Sequence, residues 1–452
     1  MYRKDAWEKY EESFAPVMDF AEDYKKFLTF GKTERLVVKE SIELLEKAGF
    51  KNGASLKEVK PGDKVYFINK NKNVCAFIIG QKSLKEGLRI LGAHIDSPRL
   101  DLKEHPFYEK NGFLLGDTHY YGGVKKYQYV TIPLALHGVV CKKDGTTVEI
   151  NIGEKEDDPI VGISDLLIHL SADQMAKPLA KAIEGENLDI TLGSIPLKDK
   201  TAKEYVLKLL KEQYDVEEED FISAEIEVVP AGPSRDYGLD RSMIAGYGHD
   251  DRVCAYTSLR ALLDTEEVEY TACCILVDKE EIGSVGATGA QSLFFENIVA
   301  ELAALLKEKD PLWTARRVLE ASKMLSSDVS AGYDPLYAYV SDSKNAAYLG
   351  SGLVFNKYTG SRGKSGSNDA NPEYYAFIRR VMDEADVHWQ NAELGKVDQG
   401  GGGTIAYILG NYNMNVIDAG VAVLNMHAPM EVVSKVDVYE AYLGYKAFIT
   451  AK

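Results

Sequence analysis

Two pairs of neighbouring acids constrain this chain more than any other feature. Asp250 and Asp251 stand in Gly248-His249-Asp250-Asp251-Arg252, at the mouth of a run with helical periodicity. Glu280 and Glu281 stand in Asp278-Lys279-Glu280-Glu281-Ile282-Gly283-Ser284, directly after the apolar stretch 271–277, which reads as a buried strand. Adjacent carboxylates repel, and a buried, uncompensated charge costs several kcal/mol. A fold that delivers such pairs to the end of a buried strand has to supply a cation, a raised pKa or solvent. Metal is the most economical remedy here, because two histidine motifs elsewhere offer nitrogen ligands.

At 452 residues the chain exceeds the usual span of one domain, so two domains, one inserted in the other, are expected. No apolar run approaches the roughly 20 residues a membrane helix needs. The opening MYRKDAWEKYEE is charged where a signal peptide has an apolar segment, so a cytoplasmic protein is expected. The net charge of -17 argues against nucleic acid, whose phosphates require clustered Lys and Arg. Cys75, Cys141, Cys254, Cys273 and Cys274 form no CxxC pair and read as small buried residues in a reducing compartment. Cys273 and Cys274 are neighbours in a strand-like run, which sends their side chains to opposite faces.

Residues 5–28 and 33–49 carry apolar positions at helical spacing, and Gly49 stops the second run. Strand-like pieces follow at 64–68, 74–79 and 88–93, the last ending at His94. From about residue 100 to 234 the texture changes to short alternating segments such as 147–152 and 225–229, interrupted by a polar helix-like stretch at 198–219. This part reads as an inserted, β-rich domain. After Asp236 a βα rhythm returns, with helices expected at 252–263, 297–306, 317–326 and 372–386 and after Ser434, and strands at 416–418 and 421–424. Residues 1–99 and 235–452 are therefore expected to form one α/β sandwich.

In Gly92-Ala93-His94-Ile95-Asp96-Ser97-Pro98, His94 and Asp96 point the same way on an extended segment. That arrangement suits a carboxylate orienting a metal-bound imidazole, and equally a surface histidine with an acidic neighbour. Asp250 can bridge two cations through its two oxygens, and either aspartate can also cap the helix that opens at Arg252. Glu280 and Glu281 diverge at a strand end, so one can ligate while the other serves as general base; a solvated acidic turn is the plain alternative. Asp328 and His427 are unremarkable singly, as a capping acid and a core histidine. Taken with the others they complete a set for two ions: two histidines, two terminal carboxylates and one bridging carboxylate, with room left for water.

These residues also match, in order and context, a known family. The chain resembles the M18 metallo-aminopeptidases, the aspartyl aminopeptidase family, through His94-Ile95-Asp96-Ser97-Pro98, Tyr121-Gly122-Gly123, Ile168-His169-Leu170, Asp250-Asp251, Asp278-Lys279-Glu280-Glu281-Ile282-Gly283-Ser284, Ser326-Ser327-Asp328, Gly403-Thr404-Ile405 and Met426-His427. The resemblance implies a three-layer α/β zinc-exopeptidase domain interrupted by a β-rich dimerisation domain, and subunits assembled into a dodecamer. It implies two zinc ions per subunit, with cobalt or manganese as alternative occupants. His94 and Asp328 would hold one ion, Glu281 and His427 the other, and Asp250 would bridge. Glu280 would be the base and Asp96 the orienting carboxylate. His169 matches a histidine that reaches a neighbouring subunit's substrate.

One stretch departs from the pattern. Acid-selective members carry a lysine where this chain has Val354, followed by an Arg-Tyr pair that is missing here. Lys357, Arg362 or Lys364 could still offer positive charge to an acidic side chain, or belong to a solvated loop. The departure weighs against a preference for N-terminal Asp or Glu and leaves metal-dependent hydrolysis untouched. The run Gly400-Gly401-Gly402-Gly403 lacks the Gly-Lys-Ser/Thr ending of a phosphate loop, and Gly403 instead suits a backbone approach to peptide. The expected activity is removal of one residue from a peptide's free N-terminus. A metal-dependent deacylase and a non-catalytic peptide-binding relative are the alternatives.

Overall fold

The computed structural model describes residues 5–198 and 200–452. They form two compact units, one made of residues up to 96, 234–426 and 431–452, the other of 97–233 with 427–430.

The first unit is built on a nine-stranded sheet. Its spatial order is Lys51–Asn52, Lys64–Asn69, Asn73–Ile78, Ala272–Val277, Arg89–His94, Lys323–Ser326, Asn415–Gly420, Leu353–Asn356 and Trp389–Asn391. Four central strands run parallel: Ala272–Val277 beside Arg89–His94, then Lys323–Ser326, then Asn415–Gly420. Every residue of Ala272–Val277 is buried, and its alternation feeds two separate cores. Ala272, Cys274 and Leu276 face the helices Ala15–Phe30, Glu34–Lys47, His249–Leu263 and Lys435–Thr450. Cys273, Ile275 and Val277 face Phe294–Leu305 and Pro311–Ala321. The two neighbouring cysteines thus lie on opposite faces, and the unit is a three-layer α/β sandwich. Burying each such aliphatic side chain stabilises by about 1.5–3 kcal/mol, so both cores hold this strand in register. A smaller sheet joins Arg235–Tyr237, Met243–Gly246, Glu431–Ser434, Ala422–Leu424 and Ser330–Ala331.

In this first unit two helices differ most from the sequence expectation. The first begins only at Ala15, because Pro16 has no N–H and fits the opening turn of a helix but not its interior; a short turn, Ala6–Tyr10, precedes it. The helix expected at 317–326 is instead Pro311–Ala321, capped by Asp310, whose side chain accepts the Trp313 N–H. Residues Lys323–Ser326 form a strand, with Met324 and Leu325 both fully buried on opposite faces. A four-residue segment with only two apolar positions carries no periodicity that separates helix from strand.

In the second unit a six-stranded antiparallel sheet has the order Thr147–Ile152, Leu134–Cys141, Ala224–Pro230, Arg99–Lys110, Phe113–Tyr121 and Ile190–Gly193. Leu100, Leu114, Leu134, Val140, Ile190 and Val228 fill its core. The polar helix is Ala202–Tyr214, opened by a reciprocal Thr201–Glu204 capping box. It ends earlier than expected because Asp215 turns left-handed, with φ +56°. Among the described residues no helix is long and apolar enough to cross a membrane.

Candidate metal centre

The parallel strands deliver their last residues to one edge of the sheet. His94 closes Arg89–His94 opposite Val277, and Ile95 donates its N–H to the Val277 carbonyl at 2.9 Å. Asp328 follows Lys323–Ser326, and Glu280 and Glu281 begin a short turn three residues beyond Val277. Asp250 and Asp251 open the helix His249–Leu263 in non-helical backbone. Parallel strand ends in an α/β fold are where ligand sites form.

Side-chain geometry gathers these groups tightly. His94, 1% exposed, holds its Nε2 3.1 Å from Asp250 Oδ1, 3.9 Å from Glu280 Oε2 and 4.0 Å from Asp328 Oδ1. Donor atoms of His94, Asp250 and Glu281 lie within 4.8 Å of one another, as do those of His94, Asp251 and Asp328. Asp96 is fully buried and does two things. Its Oδ1 lies 3.3 Å from His94 Nδ1, and its two oxygens accept the N–H groups of Glu280 and Glu281, each at 3.1 Å. One carboxylate therefore fixes both the imidazole and the turn that carries the glutamates.

Electrostatics agrees with the distances. Burial alone favours a neutral His94 ring, yet Asp250, Asp96, Glu280 and Asp328 together push its pKa well above the ordinary histidine value. Burial also lifts Asp328 far above the carboxylate range, and Asp251, Glu280 and Asp250 add to this against the opposing pull of His94. Asp251 is raised in the same way, first by burial. Such crowding of buried acids stabilises protons or a divalent cation. The Oδ1 of Asp251 is buried and, among the described residues, has no hydrogen-bond partner of good geometry, with only the Cys254 thiol nearby. An imidazole nitrogen and several carboxylate oxygens in reach of one point fit zinc.

Three residues to which the sequence assigned no ligand or catalytic role support this edge. Asp251 Oδ2 accepts the His94 N–H at 3.3 Å, and Arg252, fully buried, donates from Nε to the Ile95 carbonyl at 3.2 Å. Glu431, 1% exposed, accepts the Asp250 N–H at 3.0 Å. The Asp-Asp-Arg run was a signal for the first two, but helix capping explained it equally well. Nothing local marked Glu431. His249, left without a role by the sequence, meets Tyr24 Oη through Nδ1 at 2.7 Å, and burial lowers its pKa to about 3.

The remaining candidates are not members of these two donor clusters. His427 belongs to the second unit, where its Nδ1 is 2.9 Å from the Gly123 carbonyl. His169 sits exposed in the turn Ile168–Leu170. Lys357 and Lys364 both pair with Asp369, at 2.5 and 3.1 Å, and Arg362 is exposed in the same loop. In the glycine run, Gly401 has φ +130°, and a Cβ there would lie 2.4 Å from Ser361 Cα, so close packing of two loops requires that glycine. A Cβ at Gly403 would meet nothing nearer than the Gly366 carbonyl at 3.6 Å.

Comparison with known proteins agrees with this arrangement. A profile of the aminopeptidase I zinc metalloproteases (M18) matches residues 27–449. A probable M18 family aminopeptidase 1 of Clostridium acetobutylicum is 56% identical, covering 99% of this chain and 98% of that protein. The crystal structure of an M18 family aminopeptidase from Thermotoga maritima superposes with a TM-score of 0.97 at 44% identity, covering 100% of both chains. That of aminopeptidase I from Clostridium acetobutylicum gives 0.92 at 52% identity, with 99% of each chain covered. The S. cerevisiae mApe1 dodecamer, 21% identical with a TM-score of 0.78 over 96% of this chain and 97% of that one, shares the fold. With its acids and His94 gathered at the sheet edge, the chain belongs to the M18 family of zinc metalloproteases and is a metallo-aminopeptidase.

Proposed function

We propose that the chain removes the N-terminal residue of peptides at a centre for two zinc ions, with Glu280 as general base. The observation that carries this reading is the pair of donor clusters sharing His94, with the Glu280 carboxylate 3.9 Å from the same ring. His94 and Asp328 would hold one ion, Glu281 and His427 the other, and Asp250 would be shared between them; cobalt or manganese would suit the same nitrogen and oxygen donors. The Gly123 carbonyl beside His427 Nδ1 favours the tautomer whose Nε2 presents a lone pair. Bound zinc supplies Lewis acidity, which polarises the scissile carbonyl and lowers the pKa of water. Glu280 takes the proton of the attacking water and passes it to the leaving amine. Asp96 orients His94 and keeps Glu280 and Glu281 on one rigid turn. Glu280→Gln is expected to keep its zinc by elemental analysis and to lose turnover by about 100- to 10,000-fold. An unchanged kcat rejects the role.

The residue removed is read as preferentially uncharged. Val354, where acid-selective relatives carry lysine, is fully buried in an apolar cluster with Ala347, Ala392 and Ala422, and pairs with Gly420 at the Asp328 edge. Lys357 and Lys364 are both engaged with Asp369 nearby in the chain, so Arg362 is assigned the contact with peptide, alongside Gly403 and His169. Leucyl-nitroanilide should be cleaved faster than aspartyl-nitroanilide, and the reverse order sinks this selectivity. The β-rich unit, residues 100–234 in the main, is assigned to dimer and dodecamer assembly. Its exposed Leu166, Leu167, Ile168, Leu170 and Met175, each more than half accessible, call for a covering surface. Light scattering that returns a monomer contradicts the assignment.

A further inference from the structure

One buried carboxylate near the glutamate turn belongs to none of the roles above. Asp278 is 1% exposed and directly follows the strand Ala272–Val277. Its Oδ1 accepts the Lys279 N–H at 2.8 Å, and its Oδ2 accepts the Thr288 hydroxyl at 2.6 Å. Its own N–H donates to the Thr288 carbonyl at 3.3 Å, and an isolated bridge joins Asp278 to Gly289. Both ends of the segment 278–289 are therefore tied together at this residue.

What lies between those ends cannot hold itself in place by packing. Lys279, Gly283, Ser284 and Gly286 all have positive φ, and Ile282 and Val285 are 48% and 64% exposed. The segment is instead fastened by polar contacts from the Lys64–Asn69 and Asn73–Ile78 hairpin. Asn73 Nδ2 donates to the Thr288 carbonyl at 2.6 Å, and Asn69 Nδ2 to the Ala287 carbonyl at 2.8 Å. Lys72, in the turn of that hairpin, sits 3.9 Å from Asp278 and 2.8 Å from Glu34, so the buried carboxylate has a cation beside it. Asp96 grips the turn Glu280–Ile282 from the metal side; the Asp278–Thr288 pair closes the loop from which the turn grows.

We propose that Asp278 is a positioning residue for Glu280 and Glu281, acting as the latch that closes the loop 278–289. It touches neither substrate nor metal in this reading, and it rests on the roles given above to those two glutamates. Truncating it leaves the Thr288 hydroxyl and the Lys279 N–H without their buried acceptor, which frees the turn to drift. An error of about 1 Å in a reacting group is enough to cost on the order of 100-fold in rate.

The test compares Asp278→Ala, Asp278→Asn and Thr288→Val in the full-length, zinc-loaded enzyme and in its cobalt-substituted form. Asp278→Ala should lower kcat by about 10- to 100-fold with KM little changed, the scale found for residues that support metal ligands. It should also alter the visible absorption bands of the cobalt form and speed hydrogen exchange in 279–287. Asp278→Asn still accepts the Lys279 N–H and can donate to Thr288, so it should restore kcat to within a few-fold and return the cobalt spectrum. Thr288→Val should act in the direction of Asp278→Ala, and it decides the matter if the alanine variant does not fold. Wild-type kcat and an unchanged cobalt spectrum in the foldable truncations overturn the proposal, as does equal damage from alanine and asparagine. The cobalt spectrum follows the placement of Glu281, so it separates failure of the latch from failure of Glu280 as base.

Discussion

Two clusters of charge in the first unit contrast sharply. At the sheet edge, Asp250, Asp251 and Asp328 crowd around a single imidazole, and all are buried. In the loop 357–369, Lys357 and Lys364 converge on one carboxylate, Asp369, in contact with solvent. The exposed cluster keeps one positive charge in excess, and solvent screens it at little cost. The buried one is left with excess negative charge and raised pKa values, which is a physical demand for a cation. Charge density alone does not mark a site; imbalance under burial does.

The largest expected effect comes from removing the acid at the centre of the buried cluster. Asp250→Ala should lose zinc, measured by elemental analysis, and should lower kcat by about 100- to 1,000-fold. Full metal occupancy in that variant breaks the contrast drawn here. A middle case is the buried Asp418, held by hydroxyl groups: burial raises its pKa to about 7, against the opposing hydrogen bond from Thr404 Oγ1 at 2.7 Å. Its folded pKa lies above the unfolded value, so its stabilising contribution is complete below about pH 4 and disappears as pH rises toward 7. Asp418→Asn should flatten that part of the stability profile by a few kcal/mol, read from denaturant unfolding across pH 4–8; an unaltered slope refutes it. The smallest effect is expected from Lys357→Met together with Lys364→Met. Exposed ion pairs contribute about 0–1 kcal/mol, so Tm and leucyl-substrate kcat/KM should barely move, whereas a large loss of activity would give these two lysines a role the contrast denies them.

Much of the sandwich could be read along the chain, because its strands are buried on both faces and stand out as apolar runs. His94 and the Glu280-Glu281 pair were legible for a related reason: each directly follows such a run. The strand before Asp328 was not, since Met324 and Leu325 reveal their opposite faces only once flanking strands exist. Asp251 stood out beside Asp250 but received no ligand role, because helix capping is a good local explanation that does not depend on the rest of the fold. The Lys357–Asp369 and Lys364–Asp369 pairs depend on how a loop closes, and loop closure leaves no periodic trace.

The order in which these strands come together has a consequence during synthesis. Arg89–His94 is made early, but the neighbour that brings Asp328 to it, Lys323–Ser326, emerges far later, and that strand in turn leans on Asn415–Gly420. A ribosome must therefore finish most of the polypeptide before hydrolytic machinery can exist at all. Until Lys323–Ser326 has been made and has paired, the chain carries His94 and the glutamate turn without the acid that completes their donor set.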